Sequence, residues 1–347
     1  MKAVVKAGPG PGAELREVEV PRPGPGEVLV KVKAASICGT DYHIYRWDPW
    51  SAGRVRPPLV LGHEFCGEVV ELGPGVDTLA VGDYVSAESH VVCGSCYQCR
   101  TGQAHVCQNT KILGVDRDGC FAEYVVIPAV NAWRNSPTLP PDVASMQEPL
   151  GNAVHTALCF PLVGRTVAVV GCGPIGLCAV AISRAAGAAR VWAAEVNPYR
   201  QELAARVGAH RVIDPRREDL AQVLREETGG LGVDVLLEMS GHPDAIRAGL
   251  RGTRSGGEVA LLGLPPAPFE LDLGDEVVMR GLRVQGITGR KLWQTWYQVK
   301  VLLDSGVLDV TPVITHRLPL EEFGLGMELM ARGECGKVVL YPGGALS

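Results

Sequence analysis

TVAVVGCGPIG, residues 166–176, decides the reading of the fold. Five residues of strand character, Thr166–Val170, run directly into Gly171, Gly173 and Gly176, and an Ala-rich helical stretch, Pro174–Ala188, follows. In a Gly-x-Gly-x-x-Gly placed between strand and helix each glycine has its own task. The first allows a tight turn, the second lets backbone approach a pyrophosphate, and the third packs helix on strand. The N-terminus of the helix adds N–H donors and a dipole that favours an anion. In a chain with 43 glycines among 347 residues the motif alone is weak. Glu195, at the end of the next strand-like run, sharpens it. An acidic side chain there accepts hydrogen bonds from an adenosine ribose diol and repels a 2′-phosphate, so the pattern predicts NAD rather than NADP. Arg200, one turn into the following helix, is the candidate for packing on the adenine side.

Working outward, strands at Arg190–Val196, Arg211–Ile213, Val233–Met239, Glu258–Leu262 and Leu282–Ile287 alternate with helix or loop, including a helix at Pro198–Val207. Such alternation predicts an α/β domain, a doubly wound parallel sheet covered on both faces, over residues 149–295. The tail from Leu292 holds no further strand–helix–strand unit and is expected to return to the first domain as residues 296–347. Before residue 149, Gly and Pro cut the chain into short pieces (GPGPG at 8–12, PRPGPG at 21–26). Runs at Val28–Lys33, Phe65–Leu72, Tyr84–Glu88 and Phe121–Ile127 predict an antiparallel barrel or sandwich over residues 1–148. Pro137, Pro140, Pro141 and Pro149 mark the crossover.

Composition agrees with two folded domains. Hydrophobic residues are 46% and charged residues 20%, which excludes general disorder. A net charge of −5 argues against nucleic acid as a partner. No apolar run is long enough for a membrane span, and MKAVVKAGPGPG has no apolar signal core, so a cytoplasmic protein without a membrane partner is expected. Eleven cysteines, an odd number, point to thiols and metal rather than to a disulfide framework.

Cys93, Cys96, Cys99 and Cys107 place four thiols within one short segment. Four thiolates close a tetrahedron around zinc and leave no position for substrate, so this site is expected to be structural. The spacing lacks the three-residue gap before Cys-Pro of a bacterial ferredoxin run. A second, dispersed group comprises Cys38 in CGTDYH, His63 and Glu64 in GHEF, and Glu148 before Pro149. Mixed ligands of this kind suit a catalytic zinc, which takes three protein donors and keeps one place open. Each residue also has an ordinary reading: a buried small thiol, a surface His-Glu pair, a Glu-Pro before a helix. His90, ahead of the four-cysteine segment, is a candidate for meeting charged groups of a substrate, or a strand-end histidine bonded to backbone.

In this order CGTDYH, GHEFCGEVVELG, the four-cysteine segment and GCGPIG resemble the zinc-containing medium-chain dehydrogenase/reductase superfamily of alcohol and polyol dehydrogenases. HIYRWDPWS, GCFAEYVVIPAVNAW, EPLGNAVHTAL and GITGRKLWQTWY extend the resemblance toward its threonine-oxidising branch. The resemblance implies a GroES-like catalytic domain beside a Rossmann domain. It implies a catalytic zinc held by Cys38, His63 and Glu64, with the third ligand open between Glu64 and Glu148. Thr40 and His43 match the family's proton relay, and Glu148 its polar residue near the metal. Ile175, Glu195, Arg200, Leu262, Gly263, Leu264, Gly286 and Ile287 match its NAD contacts. The implied reaction is oxidation of a secondary alcohol, that of L-threonine, as a step of threonine catabolism by a homotetramer. Alternatives are a polyol or butanediol-type dehydrogenase on the same scaffold and a non-catalytic zinc- and nucleotide-binding protein.

Overall fold

The computed structural model describes residues 1–344, and the chain divides into two compact units: Met1–Pro149 with Ile314–Ser347, and Leu150–Val313. Ten strands precede the crossover. They are β1 (Lys2–Lys6), β2 (Glu14–Glu17), β3 (Glu27–Ser36), β4 (Leu59–Val60), β5 (Glu64–Leu72), β6 (Tyr84–Ala87), β7 (His90–Val91), β8 (Lys111–Ile112), β9 (Tyr124–Pro128) and β10 (Ala132–Arg134). Two short helices, α1 (Gly39–Arg46) and α2 (Pro49–Arg54), follow β3. The sequence EVLVKVKAAS explains why β3 is central. Val28, Val30 and Val32 are buried while Lys31 and Lys33 are exposed, the alternation of a strand with one solvated face.

Unit two holds β11 (Thr166–Val170), β12 (Arg190–Ala194), β13 (Arg211–Ile213), β14 (Val233–Glu238), β15 (Thr253–Leu261) and β16 (Arg283–Gly286). All pair in parallel, in the order β13-β12-β11-β14-β15-β16. The order reverses between β11 and β14, and ligands of open α/β sheets bind outside the carboxyl ends of strands at such a point. Val167–Val170 are buried and the helix Pro174–Ala185 is buried along most of its length, as a strand and helix covered on both sides must be. At the edge, β16 is exposed at every residue. The helix Gln294–Asp304, assigned by the sequence reading to the returning tail, clusters with this sheet, with Trp296 and Val299 buried.

The chain re-enters unit one at β17 (Ile314–Pro319) and β18 (Lys337–Tyr341). The main sheet of that unit runs β10-β6-β5-β3-β18-β17, and β9 also pairs with β3. Smaller sheets, β2-β1-β4 and β7-β8, complete it. The register sets Ser36 opposite Glu64 across β3 and β5, and Val339 of β18 opposite the same Ser36. The core gathers Val30, Phe65, Phe121, Ile127 and Leu340. Among the described residues no helix is long and apolar enough to cross a membrane.

Candidate metal and nucleotide sites

Cys38 follows β3 and caps α1, while His63 and Glu64 lie where the chain enters β5. Gly62 at φ +90° makes the turn that aims His63, and a Cβ there would stand 2.2 Å from the Phe121 ring. Only glycine meets both demands. The donor atoms of Cys38, His63 and Glu64 lie within 4.8 Å of one another. His63 and Glu64 are buried and Cys38 is partly so. Asp41 organises two of them. Its Oδ2 accepts the Cys38 N–H at 2.8 Å, and its Oδ1 stands 3.5 Å from His63 Nδ1. A carboxylate behind a ligating histidine fixes the ring and raises its basicity. Burial alone would depress the His63 imidazole, but Asp41 and Cys38 push it well above its ordinary value. Thiol, imidazole and carboxylate together form a zinc donor set. The residues fit the metal.

Glu64 has a further partner absent from the sequence reading. The Lys337 Nζ donates to its two oxygens at 2.8 and 2.6 Å and to the Ile37 carbonyl at 3.0 Å. Ser36 Oγ donates to the same carboxylate. Lys337 is 2% exposed and Glu64 fully buried. Burial pulls the lysine down, yet Glu64 and Cys38 hold it above its ordinary value. Glu148 is buried, accepts from Ser89 Oγ, and lies outside the three-donor group, although its charge acts on Lys337. Cys38 Sγ stands 3.8 Å from Thr40 Oγ1. His43, its side chain 60% exposed, sets Nδ1 2.6 Å from Asp48 Oδ2. His90 opens β7, its N–H donating to Glu88 and its carbonyl accepting from Asn131.

The four sulfurs of Cys93, Cys96, Cys99 and Cys107 also lie within 4.8 Å of one another. Cys96–Cys99, Cys93–Cys107 and Cys96–Cys107 are 3.5, 3.5 and 3.8 Å apart. Zinc–sulfur bonds of ~2.3 Å set tetrahedral edges of about 3.8 Å, so the cage has the right size. Backbone hydrogen bonding at Ser95 and the Asn109 amide bring the Cys93 thiol down to about 5, while burial and the neighbouring Cys96 and Cys107 push Cys99 up to about 12.

In unit two, the three glycines divide their tasks as the motif demands. Gly171 has φ +90° and no room for a Cβ against Ser240. A Cβ on Gly173 would meet nothing within 4 Å, leaving open space where a pyrophosphate would lie. A Cβ on Gly176 would strike the Gly171 carbonyl at 2.0 Å. Glu195 Oε2 accepts from Cys172 N at 2.7 Å, and Oε1 accepts from Val196 N and Asn197 N at 2.8 and 2.9 Å. Its carboxylate is thereby fixed beside the glycine turn. A cleft of about 1100 Å³ is lined by Gly171, Gly173, Glu195, Arg200, Ser240 and His242, among others. The Arg200 Nε in it is buried with no hydrogen-bond partner among the described residues, the kind of orphan a bound nucleotide would satisfy. Ile175 lies in the first turn of the helix behind the motif. Leu262–Leu264 and Gly286–Ile287 lie at the ends of β15 and β16 rather than in the cleft wall.

Residues 24–137 match the alcohol dehydrogenase GroES-like domain and residues 174–305 the zinc-binding dehydrogenase domain. An L-threonine 3-dehydrogenase of Symbiobacterium thermophilum is 56% identical, over 99% of this chain and 98% of its own. A short chain alcohol dehydrogenase of Escherichia coli, solved with NADH, superposes with a TM-score of 0.90 at 30% identity, over 98% of this chain and 99% of its own. A 2R,3R-butanediol dehydrogenase of Bacillus subtilis superposes with a TM-score of 0.90 at 29% identity, with the same coverage.

Proposed function

The chain belongs to the zinc-binding alcohol dehydrogenase family, and from that premise we propose that it oxidises the secondary hydroxyl of L-threonine to the ketone of 2-amino-3-oxobutanoate. Carbon loses a hydride to NAD+, and oxygen loses a proton to solvent. The observation that carries the reading is Thr40 standing beside Cys38, the partly exposed member of a donor group whose His63 and Glu64 are buried. An alcohol is too weak an acid to lose its proton unaided at neutral pH. Zinc, when bound, supplies Lewis acidity of the kind that takes water from a pKa of ~15.7 to ~7, worth roughly 12 kcal/mol.

The chain's own residues do the rest. Cys38, His63 and Glu64 would hold the ion, Asp41 orients His63, and Lys337 positions Glu64. The Thr40 hydroxyl both accepts and donates, so it can take the substrate proton and pass one on. His43 accepts that proton and, being largely exposed, releases it to water. Glu148 and His90 are the candidates for meeting the ammonium and carboxylate of threonine, since charged substrate groups in a dry site need polar partners.

On the nucleotide side, the fixed Glu195 carboxylate favours NAD over NADP. We assign one catalytic and one structural zinc to each chain. The exposed strand β16, at the edge of its sheet, offers its outer side to a second copy, which supports a homo-oligomer, and the family resemblance makes it a tetramer. Eleven cysteines, with no disulfide among the described residues, suit the reducing cytoplasm.

The test is NADH formation with L-threonine, sorbitol and 2,3-butanediol at equal NAD+, and with NADP+ in parallel. Threonine is expected to be the clear preference and NADP+ a poor acceptor. Preference for the diol or polyol would keep the metal chemistry and overturn the substrate. Silence on all three with zinc bound would favour a non-catalytic nucleotide-binding protein.

A further inference from the structure

We propose that Asp48 is a positioning residue of the proton relay, holding the His43 ring in one tautomer and one orientation. The inference rests on the assignment of His43 to that relay. His43 sits near the end of α1, an eight-residue helix, with most of its side chain in solvent. An exposed histidine in such a place ordinarily samples several rotamers. This one is held. Trp47, the C-cap of α1, takes φ +58°, a left-handed conformation that is uncommon for a bulky residue. The turn brings Asp48 back over the helix, where Oδ2 meets His43 Nδ1 at 2.6 Å.

The other oxygen of Asp48 is also committed. Oδ1 accepts from Ser51 N and Ser51 Oγ, each at 2.9 Å, and so caps α2. The carboxylate therefore has its plane set by one helix while it orients a ring on another. Two further contacts support the arrangement. Lys6, 1% exposed, places Nζ 4.8 Å from the centroid of the Trp47 ring while donating to the Gly10 and Gly12 carbonyls. The Trp50 ring meets His43 edge-on at 6.4 Å.

The chemical consequence concerns the tautomer. A carboxylate only accepts, so His43 Nδ1 must carry the hydrogen, which leaves Nε2 with its lone pair free to take a proton. The two oxygens have different tasks, and substitution can separate them. Asp48→Asn retains an oxygen for the α2 cap, at which asparagine is as good as aspartate, but withdraws the carboxylate from His43. Asp48→Ser keeps a capping hydroxyl and is too short to reach the ring.

The experiment measures kcat and KM for L-threonine and NAD+ in the wild type, both Asp48 variants, His43→Ala and the two double variants, with melting temperature as a check on folding. In each Asp48 variant kcat is expected to fall by about tenfold or more, with the ~10²–10⁴-fold contribution of a general acid–base group as the upper limit, and with both KM values unchanged within about twofold. In the His43→Ala background the same substitutions should add no further loss. Wild-type kcat in both Asp48 variants, or an equal loss with and without His43, would overturn the inference by leaving Asp48 only its cap. Wild-type turnover in His43→Ala would instead overturn the relay itself.

Discussion

Lys337 and Glu64 form a buried ion pair at the metal centre, and its energetics are asymmetric. Removing one partner leaves the other buried and uncompensated, which costs about 3–5 kcal/mol, whereas replacing both by apolar groups is often neutral. In metal-free protein, where no zinc answers the Glu64 charge, Lys337→Met should lower unfolding free energy by that amount in urea titrations, and Lys337→Met with Glu64→Leu should recover most of it. A single variant as stable as the wild type would show that the pair is not desolvated as described. The residues of this centre were unequally legible. Cys38, His63 and Glu64 stand out because thiol, imidazole and carboxylate are metal donors wherever they occur. Lys337 does not, because a lone lysine before an apolar run reads as the solvated start of a strand. Asp41 was visible within CGTDYH, but its grip on both Cys38 and His63 exists only once α1 has formed.

The same contrast holds for elements. Thr166–Val170 and Arg211–Ile213 were readable to the residue, each a short apolar run beside chain-breaking residues. β15 begins at Thr253 rather than at the expected Glu258, because TRSGG reads as a turn, and the sheet absorbs it through an irregular register opposite Val233 and Val235. In unit one, β1, β2, α1 and α2 were hidden among Gly and Pro, their short lengths giving no periodicity to read. The four-cysteine segment needed no periodicity, only spacing. It has little regular structure of its own: a four-residue helix, a 3₁₀ turn and the two-residue β7–β8 pair. Metal binding to such a segment is largely folding free energy. Cys99→Ser should therefore reduce bound zinc from two to one per chain by elemental analysis and lower the melting temperature. Two full equivalents in that variant would contradict the assignment of the cage.

For the whole molecule, the acid response follows from its carboxylates. Burial pushes Asp116, Asp234 and Glu227 up, but Arg54, Arg254, Arg211 and local hydrogen bonds more than offset this and hold all three below their ordinary values. Asp83 is lowered chiefly by the Ala80 N–H. Groups depressed in the folded state bind fewer protons there than when unfolded. Their stabilisation is therefore present above the ordinary 3.8 and 4.5 and is lost as pH falls through the lower folded values. Glu238, raised by burial, contributes in the opposite sense and is outnumbered. Melting temperature measured from pH 6 to pH 3 should be level above about pH 5 and then decline. A flat profile down to pH 3 would mean that these ion pairs contribute nothing.

The ribosome delivers Glu64 273 residues before Lys337. At about 5–20 residues per second the interval is roughly 14–55 s. All of Leu150–Val313 is translated within it, so the parallel sheet can fold on the nascent chain while the barrel still lacks β18. Until that strand emerges, the glutamate has only water, Ser36 or an arriving metal ion to answer its charge. The gap thus gives the metal centre a period of assembly before the lysine closes over it, set by the order of synthesis.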